Sequence, residues 1–89
     1  MYYFYILRCA DNSLYCGVTN NLERREKEHN TSKSKSSRYT RLRRPVKLVY
    51  TEKFQTLQKE MERERQIKKW SRAKKEALIK GNLQLLKQL

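Results

Sequence analysis

Tyr2-Tyr3-Phe4-Tyr5-Ile6-Leu7, then Ala10-Asp11-Asn12-Ser13, then Leu14-Tyr15-Cys16-Gly17-Val18: the reading of this stretch decides the fold. The first run is dense in aromatic and β-branched residues and reads as a strand that is at least half buried. The second carries turn chemistry, and the third reads as another strand. A connection this short forces an antiparallel hairpin. Side chains alternate along a strand, so Tyr3, Tyr5 and Leu7 share a face, as do Tyr15 and Gly17. With the turn centred near Asp11, Tyr5 lies across from Gly17 and Leu7 across from Tyr15. Two phenols then flank a position with no side chain, where a ligand can approach the backbone closely. A slip of one residue would send the tyrosines to opposite faces.

Beyond the hairpin, Asn20 with Glu23 three residues on reads as a helix N-cap and a loose capping box. The helix it starts runs from about Asn21 to His29. From Thr31 to Pro45 the chain is a Ser/Thr-rich loop, with one helical turn around Tyr39. Pro45 then opens a third strand through Val46-Lys47-Leu48-Val49-Tyr50-Thr51, at a position where a missing N–H is tolerated. Leu57 to Trp70 reads as one helix and about Arg72 to Ile79 as a second. Gly81 serves as a C-cap, before a last amphipathic turn or two through Leu83, Leu85 and Leu86. The order ββαβαα predicts an α+β fold: a three-stranded antiparallel sheet flanked by helices, in one domain over residues 1–89.

Charge narrows the function. Lys and Arg number 22 against 9 Asp and Glu, a net charge of +13, and the pI is near 10.1. Such a surplus predicts a polyanionic partner, nucleic acid first. The loop concentrates it: Lys33, Lys35, Arg38, Arg41, Arg43 and Arg44 have no acid among them, since none lies between Glu28 and Glu52. Lys68, Lys69 and Arg72 extend the basic surface near the C-terminus. Two cysteines, Cys9 and Cys16, are too few for a disulfide scaffold or a four-ligand zinc site and read as small buried hydrophobes. The N-terminus lacks a charged n-region and a cleavage site, and its longest apolar run is too short to cross a bilayer. A cytoplasmic, reduced setting is expected.

Three features stand out chemically. The hairpin tyrosines are the first, although strand tyrosines are usually packing residues. The second is Arg25 and His29, at i and i+4 on one helix face. A guanidinium fork suits a phosphate, but a solvated basic face explains Arg25 equally, and a lone histidine near a helix end is more often a surface or capping residue. The third is an acid. On a wheel of about 100° per residue with Leu57 at the origin, Met61 falls at about +40°, Glu64 at about −20° and Ile67 at about −80°. Glu64 therefore lies within the expected apolar arc and needs a cation, hydrogen bonds or a metal. A salt bridge to Arg25 would serve. Glu60, at about −60°, is a weaker competitor.

In this order, Tyr5-x9-Tyr15-x-Gly17-x7-Arg25-x3-His29 followed by a helical glutamate, the residues resemble the GIY-YIG nuclease superfamily. The half-motifs read Tyr3-Phe4-Tyr5 and Tyr15-Cys16-Gly17. Tyr3, Phe4 and Cys16 depart from the family's glycine and isoleucines at pleat positions. Leu22-Glu23-Arg24-Arg25, Arg44-Pro45-Val46-Lys47-Leu48-Val49-Tyr50 and Ile67-Lys68-Lys69-Trp70-Ser71-Arg72 look closest to the small stand-alone bacterial members.

The resemblance implies a metal-dependent endonuclease of low sequence specificity that hydrolyses phosphodiester bonds, with DNA favoured over RNA. Tyr5 would be a general base or relay, its ionised form favoured by cationic neighbours or a metal-bound water. Tyr15 would orient water or phosphate, Arg25 would clamp the phosphate, and His29 would assist proton transfer. Glu64 would anchor one Mg²⁺ or another divalent cation. All five are expected on one concave surface. Lys33, Lys35, Arg38, Arg41, Arg43, Arg44, Lys68, Lys69 and Arg72 would grip the backbone without reading sequence. A monomer is expected, with no membrane role and room for a protein partner. The competing class is a non-catalytic nucleic-acid-binding module of the same fold.

Overall fold

The computed structural model describes residues 1–88, and of Leu83, Leu85 and Gln88 the backbone alone. The apolar stripe expected through Leu83 and Leu85 lies outside the described side chains. The chain runs β1 (Tyr2–Arg8), β2 (Leu14–Thr19), α1 (Leu22–Thr31), α2 (Arg38–Arg41), β3 (Lys47–Phe54), α3 (Leu57–Lys68), α4 (Arg72–Lys80) and α5 (Leu83–Gln88). The sheet is antiparallel with order β2-β1-β3. The turn between β1 and β2 places Asn12 at φ 70, a left-handed conformation that asparagine tolerates. Tyr5 pairs with Gly17 and Leu7 with Tyr15, the register that the alternation predicts.

Central β1 is covered on both faces, which is why Phe4, Tyr5, Ile6 and Leu7 are all buried rather than alternating. Phe4 and Ile6, with Cys16, pack against Ile67 and Leu78 of α3 and α4. Tyr5, Leu7, Cys9 and Val46 form the core of the other face, with Leu22 of α1 at its edge. Both cysteines are buried and free. The helix α1 carries only one apolar residue, Leu22, and is docked by polar contacts. Asn30 Oδ1 accepts from Val46 N at 2.7 Å and Glu26 Oε2 from Leu48 N at 2.6 Å.

The helices α1 to α4 begin at side-chain caps: Asn21, Ser37, Thr56 and Ser71 each accept an amide hydrogen from three residues on. The first of these corrects the expected cap by one residue, from Asn20 to Asn21. Asn20 instead accepts from Arg24 Nη2 at 2.9 Å. Gly81, at φ 71, closes α4 in the left-handed conformation expected of it. No described helix is long and apolar enough to cross a membrane.

The face of α3 needs a larger correction. Leu57 and Met61, the anchors of the sequence wheel, are 42% and 46% exposed, whereas Glu60 and Ile67 are fully buried. The inward arc is centred between Glu60 and Ile67, so Glu64 stands at its edge and Glu60 in its middle.

Candidate active site

Four of the five expected residues meet on the α1 side of the sheet. Tyr5 Oη lies 2.9 Å from His29 Nε2, and Arg25 Nε donates to the same oxygen at 3.3 Å. The Tyr15 and His29 rings pack edge to face with centroids 5.2 Å apart. His29 is fully buried, so it is neither the surface nor the capping residue that its place near a helix end would favour. The gap at Gly17 is not left for a ligand. A Cβ there would lie 2.4 Å from Tyr5 Oη, so the absent side chain makes room for the phenol itself.

Electrostatics decide which protons this cluster holds. Burial, then the Arg25 charge, pushes His29 down to about 4, so the ring is neutral near pH 7. Burial pushes Tyr5 up to about 12; the Arg25 hydrogen bond and charge oppose this without overcoming it. Cationic neighbours alone therefore do not favour the phenolate here: desolvation outweighs one guanidinium. A protonated phenol between a donor and a neutral imidazole can act as a relay, but not as a resting base.

Glu64 arrives from the other layer. The helix α3 packs on the Phe4–Ile6 face of the sheet, while the Tyr5 cluster packs on the other. The layers communicate at the free edge of β2, where the Glu64 charge helps to raise both Tyr5 and Cys16. Glu64 does not pair with Arg25. Its Oε2 is 2.8 Å from Lys68 Nζ, and the two residues line a hollow of about 230 Å³ with Met61 and Arg65. Arg25 is held instead by Glu28 Oε1 at 3.3 Å and the Lys35 carbonyl, leaving Nη2 uncommitted among the described residues.

The basic residues divide into two sets. Arg44 is structural: its guanidinium donates to His29 O at 2.7 Å, Ser32 O at 2.5 Å and Ser36 Oγ at 3.2 Å. Arg43 pairs with Asp11 at 3.0 Å and covers the Tyr39 ring at 3.9 Å, and Tyr39 in turn stacks on Tyr15. Arg41 donates to Lys33 O, and Arg72 to Asn12 O and Glu76. Lys35 stands 3.9 Å from Glu28. Among the described residues the exposed side chains of Lys33, Arg38 and Lys69 carry no such contact.

Sequence reasoning missed Thr40. It is fully buried, with Oγ1 2.8 Å from His29 Nδ1. Within a Ser/Thr-rich loop, its only signal was the capping spacing from Ser37, beside Tyr39.

The chain that carries this arrangement, the phenol of one strand laid across the glycine of the next beside an Arg–His helix, has known relatives. A profile of the GIY-YIG catalytic domain matches residues 1–77. The chain belongs to the GIY-YIG family. A UPF0213 protein of Syntrophus aciditrophicus is 52% identical over 80 residues, 90% of this chain and 91% of that one. Another, from Bacillus pumilus, is 49% identical over 78 residues, 88% of this chain and 78% of its own. The solution NMR structure of a UPF0213 protein from Bacillus halodurans matches with a TM-score of 0.57 and 42% identity, covering 90% of this chain and 84% of that one. The chain thus resembles small stand-alone GIY-YIG proteins along nearly its whole length. GIY-YIG domains are nuclease domains, which makes nucleic acid the expected substrate class.

Proposed function

We propose that this protein is a metal-dependent endonuclease that hydrolyses phosphodiester bonds, DNA in preference to RNA, with low sequence specificity. The observation that carries this reading is the Tyr5–His29 hydrogen bond at 2.9 Å with Arg25 on the same phenol oxygen. Packing alone does not call for a buried proton path ending beside a guanidinium whose Nη2 has no partner among the described residues.

Water attacks phosphorus in line with the 3′ oxygen. As its oxygen bonds to phosphorus, its proton passes to Tyr5 Oη while the phenol gives its own to His29 Nε2. The phosphorus–3′ oxygen bond breaks, leaving a 5′ phosphate and a 3′ hydroxyl that is protonated from solvent. Arg25 Nη2 binds a phosphoryl oxygen and stabilises the charge that grows there. That charge also offsets the Arg25 repulsion that adds to burial in keeping His29 neutral in the free protein. Tyr15, held between His29 and Tyr39, orients the phosphate.

The donor set at Glu64 suits a hard divalent ion such as Mg²⁺. It is an oxygen ligand that already accepts a cation in Lys68 Nζ. The described residues hold no group of three His, Cys, Asp or Glu to cage a metal, so the remaining positions would go to phosphate and water. When bound, such an ion stabilises the charge on the leaving oxygen.

Cleavage of a panel of duplex, branched and single-stranded DNA and RNA, with and without Mg²⁺ and with Glu64→Ala as control, tests this proposal. Mg²⁺-dependent cleavage lost in the variant is expected. Salt-sensitive binding to every member with no cleavage of any would establish the non-catalytic binding module instead.

A further inference from the structure

We infer that Thr40 is a positioning residue that fixes the ring tautomer of His29, so that Nε2 is free to take the Tyr5 proton. The inference rests on the nuclease reading for its consequence, but not for its geometry.

One placement of the hydrogens from Ser37 through Thr40 and His29 to Tyr5 gives every one of them an acceptor. Thr40 Oγ1 lies 3.1 Å from the Ser37 carbonyl oxygen, which can only accept, so the threonine hydroxyl donates there. Ser37 Oγ accepts the Thr40 amide hydrogen at 3.1 Å and lies 3.0 Å from Thr40 Oγ1, toward which its own hydrogen points. Toward His29 the threonine oxygen then offers only a lone pair. The 2.8 Å contact with His29 Nδ1 therefore requires a hydrogen on Nδ1. A neutral imidazole carries one such hydrogen, so Nε2 is an acceptor and Tyr5 donates to it across 2.9 Å. The phenol oxygen accepts from Arg25 Nε on its other side. The hydroxyl hydrogens of Ser37, Thr40 and Tyr5 and the ring hydrogen of His29 each have a taker.

The opposite tautomer strands the phenol. The Thr40 hydroxyl would have to leave the Ser37 carbonyl, which also accepts from Arg41 N at 3.0 Å, to donate to Nδ1, and Nε2 would face the phenol with an N–H, so Tyr5 would have nowhere to pass its proton. The surroundings hold Thr40 in place. Ser37 caps α2, a four-residue helix that carries Thr40 on its buried side. Arg44 ties the His29 carbonyl to Ser32 and Ser36 in the connecting loop.

The test is ¹⁵N NMR of His29 in the full chain, together with cleavage kinetics, for wild type, Thr40→Ser and Thr40→Val. Wild type and Thr40→Ser should show a protonated Nδ1 and an unprotonated Nε2. Thr40→Val keeps the shape but loses the acceptor, and the hydrogen should move wholly or partly to Nε2. The Thr40→Val kcat should fall on the order of 10²-fold, the lower end of what a positioned general base contributes, with little change in KM. Thr40→Ser should restore most of it.

A wild-type His29 with its hydrogen on Nε2 overturns the inference even if Thr40→Val does not fold. So does an equal loss in Thr40→Ser, which would point to packing rather than the hydroxyl. A tautomer that moves in Thr40→Val without any change in kcat overturns it as well. A wild-type protein that shows the Nδ1–H tautomer yet cleaves nothing upholds the assignment and defeats the nuclease reading, which keeps the two failures apart.

Discussion

The two faces of the sheet both bury polar side chains, and they treat them in opposite ways. Under α1, the hydrogen-bonding atoms of Tyr5, His29 and Thr40 are matched in a chain anchored by Arg25 and Ser37. Under α3, Glu60 is fully buried, and neither carboxylate oxygen has a partner among the described residues. One turn later Glu64 stands at the rim, held by Lys68. A satisfied network holds side chains in one geometry, which a reaction needs. An unsatisfied acid does the reverse: it costs stability and escapes the cost by holding a proton. Burial, then the charge of Glu64, pushes Glu60 up to about 7, with Lys68 opposing. The α1 side thus has the fixed geometry that a reaction needs, and the α3 side tolerates a buried acid.

The largest test of this contrast is cleavage. Arg25→Ala should remove roughly 3–4 kcal/mol of transition-state stabilisation, a loss of 10²–10³-fold in kcat, by analogy with deleting one oxyanion donor. Glu64→Ala should also abolish Mg²⁺-dependent turnover, yet shift the metal-free melt by less than about 1 kcal/mol, because its partner Lys68 is a half-exposed surface cation. Arg25 and Glu64 share no contact, so their effects on the melt should add. A coupling above about 0.5 kcal/mol would mean that the faces are linked more tightly than the geometry allows.

Next in size is the proton on Glu60. Its folded pKa, about 7, lies above the ordinary carboxyl value of 4.5. The stabilisation from that proton is therefore complete below the lower value, and it is lost as pH rises through the higher one. His29 runs the other way, because its folded pKa near 4 lies below 6.5: its share is present above 6.5 and lost as pH falls toward 4. The two oppose each other in mildly acid solution. Subtracting melts of Glu60→Gln from wild type cancels His29. The difference should move in favour of the variant by on the order of 2 kcal/mol between about pH 5 and pH 8. A difference independent of pH would show that Glu60 is paired, and the contrast between the faces would collapse.

Smaller, and confined to the α1 side, is Gly17→Ala. The new methyl meets the Tyr5 phenol at 2.4–2.5 Å, and that ring is tethered by His29 and Arg25, so it cannot swing aside without breaking the chain. Overpacking of this kind costs about 1–3 kcal/mol. The Tyr5 phenol should lose its hydrogen bond to His29, seen as a changed His29 ring spectrum, and cleavage should fall with it. A normal melt and a normal spectrum together would show that the phenol has slack.

These contrasts also mark what could be read in the sequence. The hairpin register was legible because the two-residue period, the turn residues and the paired aromatics agree. The Arg25–His29 pair followed from helical spacing, and the family from the order of the residues. The inward face of α3 was not, because Leu57, Met61 and Ile67 are its only apolar residues and two of them sit on the exposed side. A wheel anchored on Leu57 is therefore rotated away from the true core, which is how Glu60 came to be ranked below Glu64. Thr40 was illegible for another reason. Its role depends on a loop folding back onto α1, a long-range event that local spacing does not encode.

The smallest expected effects, those of single exposed cations, separate charges that bind substrate from a charge that holds the fold. Lys33→Ala, Arg38→Ala and Lys69→Ala remove exposed charges that have no partner among the described residues, so each should change stability by less than about 0.5 kcal/mol. Each should weaken binding to every duplex sequence alike and reduce the salt slope by about 0.9, the value of one lost phosphate contact. Arg44 lies in the same basic segment and carries the same charge, yet its fork is spent on His29, Ser32 and Ser36. Arg44→Ala should therefore cost stability, at about 1.5–3 kcal/mol for charged hydrogen bonds lost to a part-buried site, while leaving the salt slope of the folded fraction unchanged. Fluorescence titration at two or three salt concentrations, paired with a melt, reads both quantities for each variant. If Arg44→Ala lowers the slope as Lys33→Ala does, its guanidinium leaves the loop to meet phosphate, and the α1 side is less fixed than its hydrogen bonds make it.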